Sequence, residues 1–271
     1  MNNRLLVPRK TPGLLDLVPG AAAAYSLRSL SNSYAGPVVT VRRSSDDAEE
    51  DFTAAEVSDG TLASFCGAGD GFVTQWYDQS NNARHCYQTD GPKQPKCIVS
   101  GIPVTLEGRP AIQFFSASNT FLATVRDTTL QQPAHLFLLG RFVALNGLNT
   151  SPRGLFGRAY TGSGTYIRER TSDVNIGSSV AIYTGSVGYD TEPHLWNVMF
   201  NGASSFYRLD FITVAEGDAG SAGPEGAMFG SDAKISGRSS DSIISEAVLY
   251  GSASTDSQAI IEGNMAWSYS V

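Results

Sequence analysis

The chain has 271 residues, 41% hydrophobic and 17% charged, enough to bury one sizeable core in a single domain and too apolar for a disordered polymer. Its 19 basic and 26 acidic side chains leave a formal charge of −7, which speaks against a nucleic-acid partner because phosphate binding needs a basic face. No apolar run reaches the length of a membrane span, and the opening run Leu5, Leu6, Val7 is halted by Pro8, Arg9 and Lys10, so neither membrane insertion nor an export signal is expected.

Residues 1–20 are punctuated by Pro8, Pro12 and Pro19 and read as an extended arm, with Leu14, Leu15 and Leu17 able to dock on a neighbouring subunit. Residues 21–271 read as one domain. The alanines and leucines of Ala21 to Leu30 favour a short helix, and Pro37 to Arg43 alternates as a strand. The acidic run Ser44 to Asp51 reads as a solvated loop, with a weak calcium site at Asp46 and Asp47 as the alternative.

After a helical turn at Leu62 to Cys66, Val73 to Tyr77 alternates as a strand and stops at Asp78, Gln79, Ser80, Asn81 and Asn82, whose short polar side chains can hold a tight bend. Two readings of that bend stand side by side. The side chains tie the loop to backbone, or Trp76 or Tyr77 stacks on a sugar while Asp78, Gln79 and Asn82 bond its hydroxyls.

Further short strands follow at Cys97–Val99, Ala111–Phe115, Thr120–Val125, His135–Phe142, Gly154–Arg158, Thr165–Arg170, Val180–Thr184, His194–Asn201, Ser205–Leu209, Phe211–Val214, Ala227–Gly230 and Ser242–Tyr250, with 28 glycines mostly in turns. That pattern predicts an all-β fold, a two-sheet antiparallel jelly-roll sandwich, closed by a short C-terminal helix. Cys66, Cys86 and Cys97 have no metal-type spacing and read as small buried hydrophobes, or as one bridged pair and a leftover thiol. No metal or other cofactor is expected.

The segment YDQSNNA (Tyr77 to Ala83), together with VRRSSDDAEEDF (Val41 to Phe52), PVTLEGRPAIQF (Pro103 to Phe114) and the closing ISEAVLYG and IIEGNMAWSY, resembles the catalytic domain of family 54 α-L-arabinofuranosidases and the phage virion proteins similar to them, with a concanavalin-like, laminin-G-like sandwich. The resemblance implies secreted relatives with disulfides, which would favour Cys66–Cys86 or Cys86–Cys97. It also implies two catalytic carboxylates, since glycoside hydrolysis needs a proton donor and an attacking or water-activating group. Glu169 and Asp232 fall near those places in the chain order.

Against an enzyme stand the flanks of Glu169, which differ from the family's, the missing pair of adjacent cysteines, and the absence of an arabinose-binding appendage after Val271. The sequence therefore points first to a phage virion structural protein: a tail appendage, fibre tip or capsid decoration. Such a protein would be assembled in the host cytoplasm and exposed on the released particle, a homo-oligomer attached to other virion proteins through its arm and meeting host-surface glycan. A glycoside hydrolase is the alternative.

Overall fold

The computed structural model describes residues 11–145, 152–158, 164–234 and 237–267. Among these, the pairings between strands are all antiparallel, and nineteen strands join one continuous sheet that nearly closes into a barrel. The expectation of a mostly β, antiparallel chain is met.

The spine is the strand Asp241–Tyr250. One edge pairs with Ala134–Ala144, the other first with Ile112–Phe114 and then with Ala21–Ser26. These strands place apolar residues at successive positions, not only at alternate ones, because both of their faces are covered. Successive residues enter different cores. Leu136, Leu138, Ile244, Ala247 and Leu249 join the larger one, which holds Trp76, Trp196 and Phe229. Phe137, Leu139, Ile243, Val248 and Tyr250 join a smaller one under the C-terminal helix Gln258–Trp267, which contributes Ile261 and Met265.

Several expectations are corrected here. Ala21–Ser26 is a strand, not the start of a helix; Ala23 and Tyr25 enter one core while Ala21 and Ala24 enter the other, so burial between two layers outweighs alanine's helical propensity. The acidic run is not all loop. Glu49–Phe52 is a strand paired with Val39–Arg43, and Asp46 and Asp47 sit in the hairpin turn, ion-paired to Arg43 and Arg42 respectively. Asp173–Gly177 is a strand that the sequence pattern does not reveal.

The Leu14–Leu17 segment is one helical turn rather than extended. Leu14 is fully buried in the core that Met265 also enters, while Leu17 is 46% exposed. The Asp16 carboxylate accepts from Ser31 Oγ at 2.6 Å and Asn32 N at 2.9 Å, so this segment docks on its own domain. Residues 1–10 of the expected arm lie outside the described residues. Cys66, Cys86 and Cys97 are buried free thiols.

Candidate active site

The bend after Tyr77 is built as an anchor. Asp78, 2% exposed, accepts from Ala24 N at 2.8 Å, Ser80 N at 2.8 Å, Ser80 Oγ at 2.8 Å and Arg84 N at 3.0 Å. Gln79, 1% exposed, accepts from Leu30 N and donates to Ser26 O and Arg28 O, each at 2.9 Å. Asn82 donates to Ala21 O and Ala22 O. These side chains supply the edge of the Ala21–Ser26 strand with partners on the side away from Asp241–Tyr250, as a neighbouring strand would. Trp76 is wholly buried against Tyr25 and Phe229, leaving no face for a sugar. Tyr77 is half-buried, its hydroxyl bonded to Asp51. The structural reading of this motif is the one the geometry fits.

A polar cleft of about 430 Å³ lies elsewhere, lined by Arg158, Thr165, Tyr166, Arg168, Asp232 and Arg238 among others. Its floor follows from two glycines. In the strand Arg153–Gly157, Gly154 lies opposite Arg168 and Gly157 opposite Tyr166, so these residues share one face of the sheet. A Cβ on Gly154 would come within 2.1 Å of Asp232 N, and one on Gly157 within 2.4 Å of Asp232 Cα. Only hydrogen at both positions lets the Asp232 backbone lie flat on this face.

Asp232 is the one carboxylate among the described lining residues, and its side chain is 1% exposed. Arg168 Nη1 donates to Oδ2 at 3.1 Å and Arg238 Nε donates to Oδ1 at 2.7 Å. A substrate oxygen reaching Asp232 would compete with these guanidinium groups. The bond to Asp232 holds Arg238 above its ordinary pKa, against the opposing effect of burial. The Arg168 guanidinium also lies over the Tyr166 ring at 3.9 Å, a cation–π contact that fixes its plane.

Glu169 is one residue from Arg168 and therefore on the reverse face of its strand. It is fully buried and lies opposite Arg153 and Val174, with Ile167 and Val174 of that face in the larger core. The two carboxylates singled out in the sequence are thus separated: Asp232 lines the cleft and Glu169 does not. The arginines were missed as site residues. The available signal was the alternation that turns Arg168 away from Glu169 and requires a partner for it on the other face. A second cleft of about 380 Å³, lined by Leu27, Val57, Leu62, Ile98 and Val104 among others, is apolar and has no carboxylate among its described lining residues.

Comparison with known proteins gives three findings. Residues 16–128 match the family model for the catalytic part of α-L-arabinofuranosidase B. A probable α-L-arabinofuranosidase B of Aspergillus fumigatus is 34% identical over 117 residues, covering 38% of this chain and 23% of that protein. Among solved structures, an arabinofuranosidase complexed with arabinofuranosyl-α-1,2-xylobiose has a TM-score of 0.66 at 20% identity, over 90% of this chain and 62% of that one. A Glu-to-Gln mutant of a family 54 α-L-arabinofuranosidase, soaked with 4-nitrophenyl α-L-arabinofuranoside, has a TM-score of 0.67 at 17% identity over the same shares.

The chain thus spans under a quarter of the curated relative and less than two thirds of these structures. At these identities the structural likeness is one of fold. The family match ends before Glu169 and Asp232. The matches nonetheless point to glycoside hydrolases and overturn the expectation of a virion structural protein that is not an enzyme. They carry no support for a phage origin.

Proposed function

We propose that this chain is a glycoside hydrolase of the α-L-arabinofuranosidase kind, acting on sugar held in the cleft above Asp232. The resemblance over residues 16–128 and the fold shared over 90% of the chain support the class. The observation that carries the site is Asp232 itself, a carboxylate seated on a floor that two glycines keep clear, at the base of a cleft of about 430 Å³, a volume suited to a small ligand.

In this reading the Asp232 carboxyl, protonated once the substrate has displaced part of its guanidinium shell, gives its proton to the departing glycosidic oxygen while a water adds to the anomeric carbon and releases its proton to solvent. Tyr166, half-buried on the wall, offers a ring to a sugar.

The test is release of nitrophenol from 4-nitrophenyl α-L-arabinofuranoside. Asp232→Asn is expected to lower kcat by about 10²–10⁴-fold, assayed at a temperature where the variant is folded. Absence of turnover by the wild-type protein, on this compound and on arabinofuranosyl-xylobiose, would refute the reading. Glu169→Gln in the same assay assigns the second carboxylate. A fall in kcat at unchanged stability would contradict the placement of Glu169 behind the cleft, and a fall in stability alone leaves it to the core.

A further inference from the structure

We propose that the substrate of this cleft carries an anionic group, the carboxylate of a uronosyl residue, received between Arg158, Arg168 and Arg238. The proposal rests on reading the cleft as the sugar site. Among the described lining residues, three guanidinium groups face one carboxylate, in a chain whose overall formal charge is −7. The surplus is local and opposite to the protein's average, as expected where an anion is to be bound.

Neighbouring acids do not remove the surplus. Glu225 lies behind Arg158 at 3.8 Å but is itself engaged at 2.7 Å by Arg126, and Asp232 divides its oxygens between two arginines. Two further donors in the wall have no protein partner: the buried Nε of Arg168 and the buried hydroxyl of Thr165, a residue only 1% exposed. A buried donor without a partner costs free energy, and an entering acceptor would relieve that cost. A planar carboxylate suits guanidinium forks, which donate two parallel bonds to its two oxygens.

Tyr166 and the hydroxyl of Ser179, also on the wall, extend the set toward the neutral part of a sugar ring. A neutral pentofuranoside alone would offer the three guanidinium groups no opposite charge.

The experiment is ligand titration of the full chain, followed by nuclear magnetic resonance, with D-glucuronate, methyl D-glucoside and inorganic sulfate as probes. Glucuronate is expected to bind at least about tenfold tighter than the glucoside, a difference one charge-assisted pair can supply. That advantage should shrink as salt rises and drop in Arg158→Gln, which leaves both Asp232 pairs in place. Sulfate binding as tightly as glucuronate would mean a simple anion hole and overturn the uronosyl assignment. Equal binding of glucuronate and glucoside, or no change in Arg158→Gln with an unaltered unfolding midpoint, would overturn the anion site.

Because binding is read without turnover, the two readings can fail separately. Hydrolysis of the neutral arabinofuranoside without uronate binding removes only this proposal, and uronate binding by a protein that hydrolyses nothing removes only the hydrolase.

Discussion

Replacing Gln79 with leucine tests whether the bend after Tyr77 is a structural clamp. The side chain is nearly isosteric and leaves little void, so the cost is that of three lost bonds, to Leu30 N, Ser26 O and Arg28 O, each 2.9 Å in the native chain. Each intact bond contributes about 1 kcal/mol net, and each group stranded away from water costs about 1–3 kcal/mol. Ser26 and Leu30 are buried and Arg28 is half-exposed, so water can reach only the Arg28 carbonyl readily. The expected loss is therefore about 3–5 kcal/mol.

Urea unfolding followed by tryptophan fluorescence reads it, with the fully buried Trp76 and Trp196 as reporters and the slope compared between variants. Asn82→Ala is the internal control. Its side chain is exposed while bonding Ala21 O and Ala22 O, so water can take its place and the loss should stay within about 1 kcal/mol. A Gln79→Leu protein within 1 kcal/mol of wild type, at unchanged slope, would refute the clamp.

Arg28→Met should destabilise the protein by about 3–5 kcal/mol, because it strands a buried carboxylate: Glu246 is wholly buried and held by Arg28 at 2.6 and 2.8 Å. The double variant Arg28→Met, Glu246→Leu should recover most of that loss, and a double variant as unstable as the single would show that packing, not charge, is at stake. His135 is lowered to about 4, mainly by burial, with its bond to Asn197 opposing. The unfolded chain therefore takes up a proton near pH 6.5 that the folded one refuses until about 4. Stability should fall on acidification through that window, and less so in His135→Gln; equal pH slopes for both proteins would contradict it. Burial raises all three thiols, that of Cys66 to about 11 and those of Cys86 and Cys97 further. Iodoacetamide at pH 8 should leave them unlabelled in the folded protein and label all three in urea, and rapid labelling of the native chain would be the opposing result.

The strand content was legible because it depends on local pattern. His194–Phe200, Ser205–Leu209 and Asp241–Tyr250 lie within about a residue of where alternation and turn residues place them. Ala21–Ser26 was not legible, since a strand covered on both faces carries no alternation and its alanines favour a helix. The polar bend was found as a motif, but a sequence cannot say whether Asp78 and Gln79 face solvent or the backbone of a strand more than fifty residues earlier. For the cleft, Asp232 was identified and the arginines that surround it were not. Arg158, Arg168 and Arg238 come from three separate segments, and only folding brings them to one wall. Glu169 was singled out by chain position, and the side a strand turns toward is decided by what packs against it.

The first and last strands of the domain are neighbours, Ala21 standing opposite Tyr250, and Asp241–Tyr250 is at once the partner of Ala21–Ser26, Ile112–Phe114 and Ala134–Ala144. During synthesis, three segments must wait for a fourth that leaves the ribosome last, so the early chain is a set of unmatched edges rather than a partial domain. A fragment carrying only residues 16–128, the stretch that matches the arabinofuranosidase family, would lack that partner and is expected to aggregate rather than fold. The chain should fold slowly and gain from a chaperone that shields its edges until Asp241–Tyr250 has emerged.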